Sequence, residues 1–500
     1  MNLMMLLEMA AQGFGERVAF VNGKESLTYQ QLFEAAGQAG KRMRASGCEH
    51  VAMLDVSSLA LPIGLFASAW AGKPFVPLNY RLASAEVEAL LARIEPAILV
   101  TDQARVASLS PADGVESMER REFVDLARTE ADAVANDWPM APDDIAVLLF
   151  TSGTTGAPKA AVLRHRHLVS YMFSAVEFGA AAEDDVALVT VPPYHIAGVI
   201  SVISSVYAGR RVVQLANFNA RDWIDLARRE RVTTAFLVPT MLAQIVGELE
   251  GQDSANLPQL RSLSYGGGKM PPPVIERAME LLPDTQFTQA YGLTETSSTI
   301  CVLLPADHRA ASASSDSRVR RRLASVGRPL PGVELQIRDD EGGVLAPGQR
   351  GEIYVRGEQV SGEYVGRGSV LDEEGWFPTR DAGELDEEGF LFLEGRADDV
   401  IVRGAENMSP GEIEDVLLRH PAVSDVGVVG VPDEHWGEAV AALIVLRSGA
   451  QATGEELQDW VRNQLRSSRV PQFITFATEL PYNETGKLLR RTIRANLSSD

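Results

Sequence analysis

Short apolar runs alternate with segments of helical spacing along most of the chain. HVAMLDV (50–56), AILVTD (97–102), IAVLLF (145–150), DVALVTV (185–191), TTAFLV (233–238) and LRSLSYGG (260–267) have the length and composition of strands. Between them, ASAEVEALLARI (83–94) and FNARDWIDLARRERV (218–232) repeat their apolar residues at helical intervals. This alternation predicts an α/β fold whose parallel sheets are covered on both faces. The stretch ADHRAASASSDSRVRRRLAS (306–325) interrupts it and, being rich in serine and arginine, predicts a solvated linker. Beyond it, ELQIRDDEGG, RGEIYVRGE and GFLFLEGR predict a small β-rich subdomain over about 326–397. The final segment has its own α/β pattern. SPGEIEDVLLRH and TGEELQDWVRNQL have helical spacing, and VSDVGVVGVPD and EAVAALIVL have strand character. The organisation expected is therefore a large N-terminal domain over 1–397 with two parallel-type sheets, and a small α+β C-terminal domain over 398–500.

The first residues, MNLMMLLEMAAQGFGER, predict an amphipathic helix, because Glu8 interrupts the apolar run and no basic start or cleavage site fits a signal peptide. No uncharged apolar run of about 18 residues is present, which argues against a membrane span. Lys and Arg number 46 against 68 Asp and Glu, a formal net charge of −22 that disfavours nucleic acid and anionic membrane as partners. The two cysteines, Cys48 and Cys301, fit no metal or redox spacing and suit a cytoplasmic location.

The chemistry is concentrated in TSGTTGAPKAAVLRH (151–165), which directly follows an apolar run. Thr151, Ser152, Thr154 and Thr155 offer hydroxyls, Gly153 and Gly156 let backbone N–H groups turn toward an anion, and Lys159 adds a cation. The spacing is not that of the common phosphate loop. A helix opening after the loop would add a favourable dipole. No G-x-S-x-G elbow or Cys–His signature supplies a nucleophile.

This stretch resembles the phosphate loop of the adenylate-forming superfamily, which includes acyl-CoA synthetases, luciferases and adenylation domains of peptide synthetases. Further motifs follow in the family's order over nearly the whole chain. VPPYHIAG (191–198) looks like the acyl-pocket segment, with His195 and Gly198. SYGGGKM (264–270) resembles the adenine turn at Gly266, Gly267 and Gly268, with Lys269 where relatives usually carry proline. QAYGLTETSS (289–298) is similar to the core motif. The resemblance implies nucleotide contacts from Gln289, Ala290, Tyr291 and Gly292, with Tyr291 stacking on adenine, Thr294 on the α-phosphate and Glu295 on Mg²⁺.

WFPTRDAGELDEEGFLFLEGR (376–396) supplies Asp381 and Arg396 for the ribose and phosphate, with Arg380 in place of a usual glycine. RADDVIVRGAENMSPGEIE (396–414) resembles the hinge at Asp398 and the loop lining the CoA channel, where Gly404–Ala405 replaces Gly-Gly. PYNETGKLLRR (481–491) places Lys487 at the adenylation lysine, while Arg81 and Trp436 match CoA-contacting positions. Ala160 follows Lys159 where relatives usually have glycine.

The resemblance implies an AMP-forming acid–thiol ligase with ATP, CoA and a carboxylic acid as substrates and Mg²⁺ as cofactor, working as a monomer or homodimer. The catalytic group would be Lys487, Glu295, Thr294 and His195. Small residues at Gly198, Gly266 and Ala290 suggest a roomy apolar pocket for a fatty, aryl or bulky natural-product acid. The alternatives are an enzyme that loads an acyl carrier protein, a luciferase-like oxidase of the adenylate, and a silent acid-binding protein. The chain shows no carrier attachment motif Gly-Gly-x-Ser, and intact Lys487 and Glu295 argue against silence.

Overall fold

Each internal apolar run becomes a strand: His50–Leu54, Ala97–Thr101, Ile145–Thr151, Val186–Val189, Thr234–Leu237 and Ser262–Gly266. The helical spacings become the helices Ser84–Leu91 and Ala220–Arg229. The computed structural model describes residues 1–111, 113–129, 137–151, 158–396, 399, 401–403, 406–433, 436–482 and 488–497, with backbone only at 396, 406 and 407.

Two large sheets form among the described residues. One has nine strands, running from Arg328–Pro329 through Ser298–Leu303, Gln286–Leu293, Ser262–Gly266, Thr234–Leu237, Val186–Val189, Arg211–Gln214 and Val18–Asn22 to Glu25–Thr28. The other has eight, from Gly368–Ser369 through Glu363–Tyr364, Lys159–Arg164, Ile145–Thr151, Phe75–Pro77, His50–Leu54 and Ala97–Thr101 to Val115–Glu119. Both are parallel at the centre, as the apolar runs predict; the nine-stranded sheet has antiparallel margins at both ends, the eight-stranded sheet only at the end opposite Val115–Glu119.

The largest core lies between these sheets. Phe20, Ala187 and Val212 from one and Val51, Phe75 and Val147 from the other join a single apolar cluster with helical residues such as Leu7, Leu32, Phe66 and Val202. The helix Ala60–Ala71 is buried along its whole length, which its sequence ALPIGLFASAWA permits because no face is charged. Burying a side chain the size of Phe66 stabilises by roughly 2–3 kcal/mol. The helix Met4–Phe14 turns Met4, Leu6, Leu7, Ala10 and Ala11 inward, as its amphipathic pattern predicts. No described helix is long and apolar enough to cross a membrane.

The segment 306–325 differs from its expected form. It holds the helices Pro305–Ala313 and Ser317–Arg320 and a 3₁₀ turn at Arg321–Ala324 instead of a solvated linker. The reason lies elsewhere in the chain. Arg321 stacks on Phe392 at 4.1 Å, and Arg322 and Arg328 stack on Phe390 at 4.4 and 4.7 Å. Phe392 lies in, and Phe390 directly precedes, the last strand of a four-stranded antiparallel sheet built from Glu334–Arg338, Gly351–Arg356, Phe377–Leu385 and Leu391–Arg396. A fourth sheet contains Ile401–Arg403, Glu406–Met408, Val423–Asp433, Gly437–Leu446 and Phe473–Ala477. The helix Pro410–Leu418 packs on it through Ile413, Val416 and Leu417.

Candidate active site

The strands Ile145–Thr151 and Lys159–Arg164 pair antiparallel, so Thr151 and Lys159 face each other across the ladder. The Thr151 hydroxyl donates to the Lys159 carbonyl at 3.3 Å. A helix directly after the loop is not found; the next helix begins only at His165. KAAVLR pairs on both sides, with Ile145–Thr151 and with Tyr364, and buries Ala160, Ala161, Val162 and Leu163. Ladder hydrogen bonds satisfy such a short doubly buried run better than one helical turn can. This segment therefore offers no helix dipole to an anion. Ala160 is buried without displacing its strand, and its carbonyl accepts from the Val365 N–H at 3.0 Å. Ser152, Gly153, Thr154, Thr155 and Gly156 lie outside the described residues.

Glu295 sits in the 3₁₀ turn Thr294–Thr296, between the strands Gln286–Leu293 and Ser298–Leu303. Gly292, in the first strand, adjoins the register shift that precedes the turn. The turn is strapped by residues 359–364, a role sequence reading missed. Gln359 donates from its amide to the carbonyls of Thr296 and Thr299 at 3.0 and 2.8 Å, and the Ser297 hydroxyl donates to the Gln359 carbonyl at 2.8 Å. The Ser361 N–H donates to the Glu295 carbonyl at 2.8 Å, and its hydroxyl bonds the Val162 carbonyl. Tyr364 donates to Glu295 Oε1 at 2.5 Å, and Lys159 Nζ lies 5.8 Å from the centre of the Tyr364 ring. One tyrosine thus joins the acidic turn to the loop's lysine. Polar residues in a glycine-bearing stretch give no such signal in sequence.

Asp381 and Arg396 are direct backbone partners in adjacent antiparallel strands, so the two positions stand side by side. The Arg396 side chain lies outside what the structure describes. Asp381 Oδ2 accepts from the Tyr291 hydroxyl at 2.7 Å, which turns the carboxylate. Burial, reinforced by the Asp381 charge, pushes the Tyr291 phenol well above its ordinary range, so it remains a donor. Its ring packs with Ile300, Cys301 and Val326 and is 8 % exposed, leaving little face for the adenine stacking expected of it. Arg380 has φ of 62°, in the left-handed region where glycine is at ease. Gln289 is buried, and its side chain accepts from the Tyr265 hydroxyl at 3.4 Å.

His195 precedes the helix Ile196–Ala208 and caps it only through backbone, its carbonyl accepting from the Gly198 N–H at 2.9 Å. Its Nε2 is buried with no hydrogen-bond partner among the described residues. Burial, helped by the Arg81 charge, pushes the imidazole down to about 4, so it is neutral at physiological pH. Tyr194 lies 4.4 Å from it, ring centre to ring centre, Tyr80 is 5.3 Å from Tyr194, and Arg81 stacks on Tyr80 at 5.6 Å. The structure thus places Arg81 beside the candidate acyl pocket.

The small residues have a second explanation. A Cβ on Gly198 would stand 2.4 Å from the Pro192 carbonyl oxygen, and one on Gly266 would stand 2.1 Å from that of Ala290. These two glycines permit close backbone approach, so they are not evidence of a roomy pocket. Gly267 and Gly268 are exposed beside them.

Lys487, Asp398, Gly404 and Ala405 lie outside the described residues, but the flanks of Lys487 are visible. Tyr482 pairs with Leu488, and the Tyr482 hydroxyl donates to Asp425 at 2.9 Å. Arg490 bonds the buried Glu414 through both guanidinium nitrogens and donates to the Val428 carbonyl at 2.8 Å. Trp436 is exposed and carries Arg403 at 5.4 Å over its ring.

No group of three or more His, Cys, Asp or Glu suited to a metal occurs among the described residues. Glu295 is the candidate ligand, and Tyr364 occupies only one lobe of its carboxylate. One carboxylate fits a magnesium ion that takes its other ligands from phosphate and water.

The AMP-binding enzyme family matches residues 7–365, and the AMP-binding enzyme C-terminal domain matches 412–487. The fatty acid–[acyl-carrier-protein] ligase ScoC of Streptomyces coeruleorubidus is 34% identical over 489 residues, covering 95% of this chain and 92% of its own. Feruloyl-CoA synthase from Amycolatopsis sp. is 31% identical over 483 residues, covering 95% and 94%. Among solved structures, O-succinylbenzoate coenzyme A synthetase (MenE) from Bacillus subtilis, in complex with ATP and magnesium ion, superposes with a TM-score of 0.83 at 29% identity, covering 99% of both chains. With the family matched across both parts of the chain, this protein belongs to the AMP-binding enzymes of the adenylate-forming superfamily.

Proposed function

We propose that this enzyme, an adenylating acid–thiol ligase, activates a hydrophobic carboxylic acid as its acyl-AMP and passes the acyl group to CoA. The observation carrying the reading is Tyr364, 2.5 Å from Glu295 and under Lys159, which gathers a carboxylate, a cation and the loop's base at one point. In the first half-reaction a carboxylate oxygen of the acid bonds the α-phosphorus, the bond to the β-phosphate oxygen breaks, and pyrophosphate leaves. Lys159 and the loop donors hold the departing phosphates, while Thr294 and Lys487 meet the α-phosphate and the acid. Magnesium held by Glu295 would neutralise phosphate charge when bound.

In the second half-reaction the C-terminal unit, 398–500, turns about Asp398 and Gly404 clears a channel toward the thiol. The thiol sulfur bonds the acyl carbon, and AMP leaves. Neutral His195, with Tyr194 against it and Tyr80 against Tyr194, supports a polar aromatic wall with Arg81 at its margin, which suits an acid whose apolar body is aryl, fatty or polycyclic. Residence in the cytoplasm accords with two free, buried cysteines. The second reading, transfer to a carrier protein, is favoured by the likeness to ScoC.

Pyrophosphate release over an acid panel, followed by thioester formation with CoA or carrier protein, tests the proposal. Acid-dependent pyrophosphate with CoA as the better acceptor is expected. Carrier preference would establish the second reading, and no acid-dependent pyrophosphate would overturn both.

A further inference from the structure

We propose that Lys269 is a docking residue that positions the C-terminal unit against the adenine-side turn, by an ionic contact where relatives carry proline. Lys269 Nζ donates to the Gly411 carbonyl at 2.9 Å and lies 2.9 Å from Asp415 Oδ1. Both partners belong to the helix Pro410–Leu418. A Cβ at 411 would stand 2.7 Å from the ammonium, the far end of a flexible side chain, so glycine there spares Lys269 a small shift. Proline at 269 has no group that makes either contact.

The same helix reaches the segment after Lys487. Glu414, next to Asp415, is buried and bonded by Arg490, three residues beyond Lys487. Arg490 also lies 3.7 Å from Asp399, beside the proposed hinge. Docking of one helix by Lys269 therefore fixes the base from which Lys487 reaches. The ion pair is partly exposed, so it is weak and screened by salt, as suits an arrangement that must be left once per turnover.

The kinetic part rests on the two-step reaction proposed above; the positional part does not. Glu250 and Glu455 are exposed, and both native cysteines are buried, so Glu250→Cys and Glu455→Cys accept spin labels selectively. In the ligand-free doubly labelled protein, Lys269→Met should broaden the inter-label distance distribution, as should 0.5 M salt. Lys269→Glu combined with Asp415→Lys should restore it, and Gly411→Ala should have a smaller effect. In kinetics, Lys269→Met should slow acid-dependent pyrophosphate release about 5- to 10-fold and thiol transfer less than about 2-fold. An unchanged distance distribution overturns the docking role whether or not the ligase reaction is found. Equal loss in both half-reactions, or a larger loss in thiol transfer, overturns the assignment of docking to the Lys487 step.

Discussion

The turn around Glu295 and the seat of the helix Pro410–Leu418 are both held from outside their own segments, but by different chemistry. The turn is fixed by Gln359 and Ser361, which bond backbone carbonyls from a buried strap. The helix is seated by an exposed lysine on one carbonyl and one carboxylate. Buried bonds to backbone leave unpaired groups when broken, whereas an exposed ion pair exchanges readily for water. The difference teaches that one seat is held by bonds costly to break and the other by a contact easily exchanged.

The largest expected effect separates the two halves by pH. The imidazoles of His165 and His167 are pushed down to about 4 by burial, and each Nδ1 accepts a backbone N–H, from Leu3 and Arg164 respectively. Unfolded, both would titrate near 6.5. Between these values the unfolded chain binds more protons, so stability falls as pH falls from about 6.5 toward 4, on the order of 1 kcal/mol per pH unit for each histidine. Burial raises the Glu414 carboxyl, but Arg490 outweighs it and holds the group below the ordinary carboxylate range. Thermal melts monitored separately for the two halves should show the N-terminal part failing first at pH 5. If the C-terminal unit melts first, the histidines are not the weak point.

Next in size is the strap. Gln359→Ala removes two bonds to buried carbonyls and should cost roughly 2–4 kcal/mol in denaturant unfolding. Both half-reactions should decline together, unlike the selective loss expected at Lys269. Tyr364→Phe is milder. It should slow pyrophosphate release about 10-fold and raise the magnesium concentration for half-maximal rate, with thiol transfer unaffected. An unchanged magnesium midpoint would show that the phenol does not orient Glu295. The smallest effect belongs to Arg380→Gly, where relief at φ of 62° and added chain freedom nearly offset; the gain should be less than about 1 kcal/mol in the same unfolding assay.

The sheet centres were legible because runs such as AILVT and TAFL are apolar, short and bounded by turns, a local signal. Asp381 and Arg396 stand 15 positions apart in one motif, and the register of two antiparallel strands brings their backbones side by side. KAAVLR was not legible, since six residues cannot show whether their period is that of a helix or a strand. Arg321 and Arg322 read as solvated because Phe392 and Phe390, on which they stack, come about 70 residues later. The strap was invisible for the same reason: Gln359 lies 63 residues from Thr296, and Ser361 lies 199 from Val162. Gly198 and Gly266 misled because a missing side chain signifies open space or close contact equally well.

The strap has a consequence for how such an enzyme diversifies. Glu295 is anchored from the side of residues 359–364, whereas His195, Tyr194 and Tyr80 sit on other elements and contribute none of the bonds described to that anchor. On the function proposed above, mutations that redraw the wall around the acid would leave the bonds described at Glu295 in place. Under that reading, a change of substrate and a change of nucleotide handling would call for substitutions on different elements.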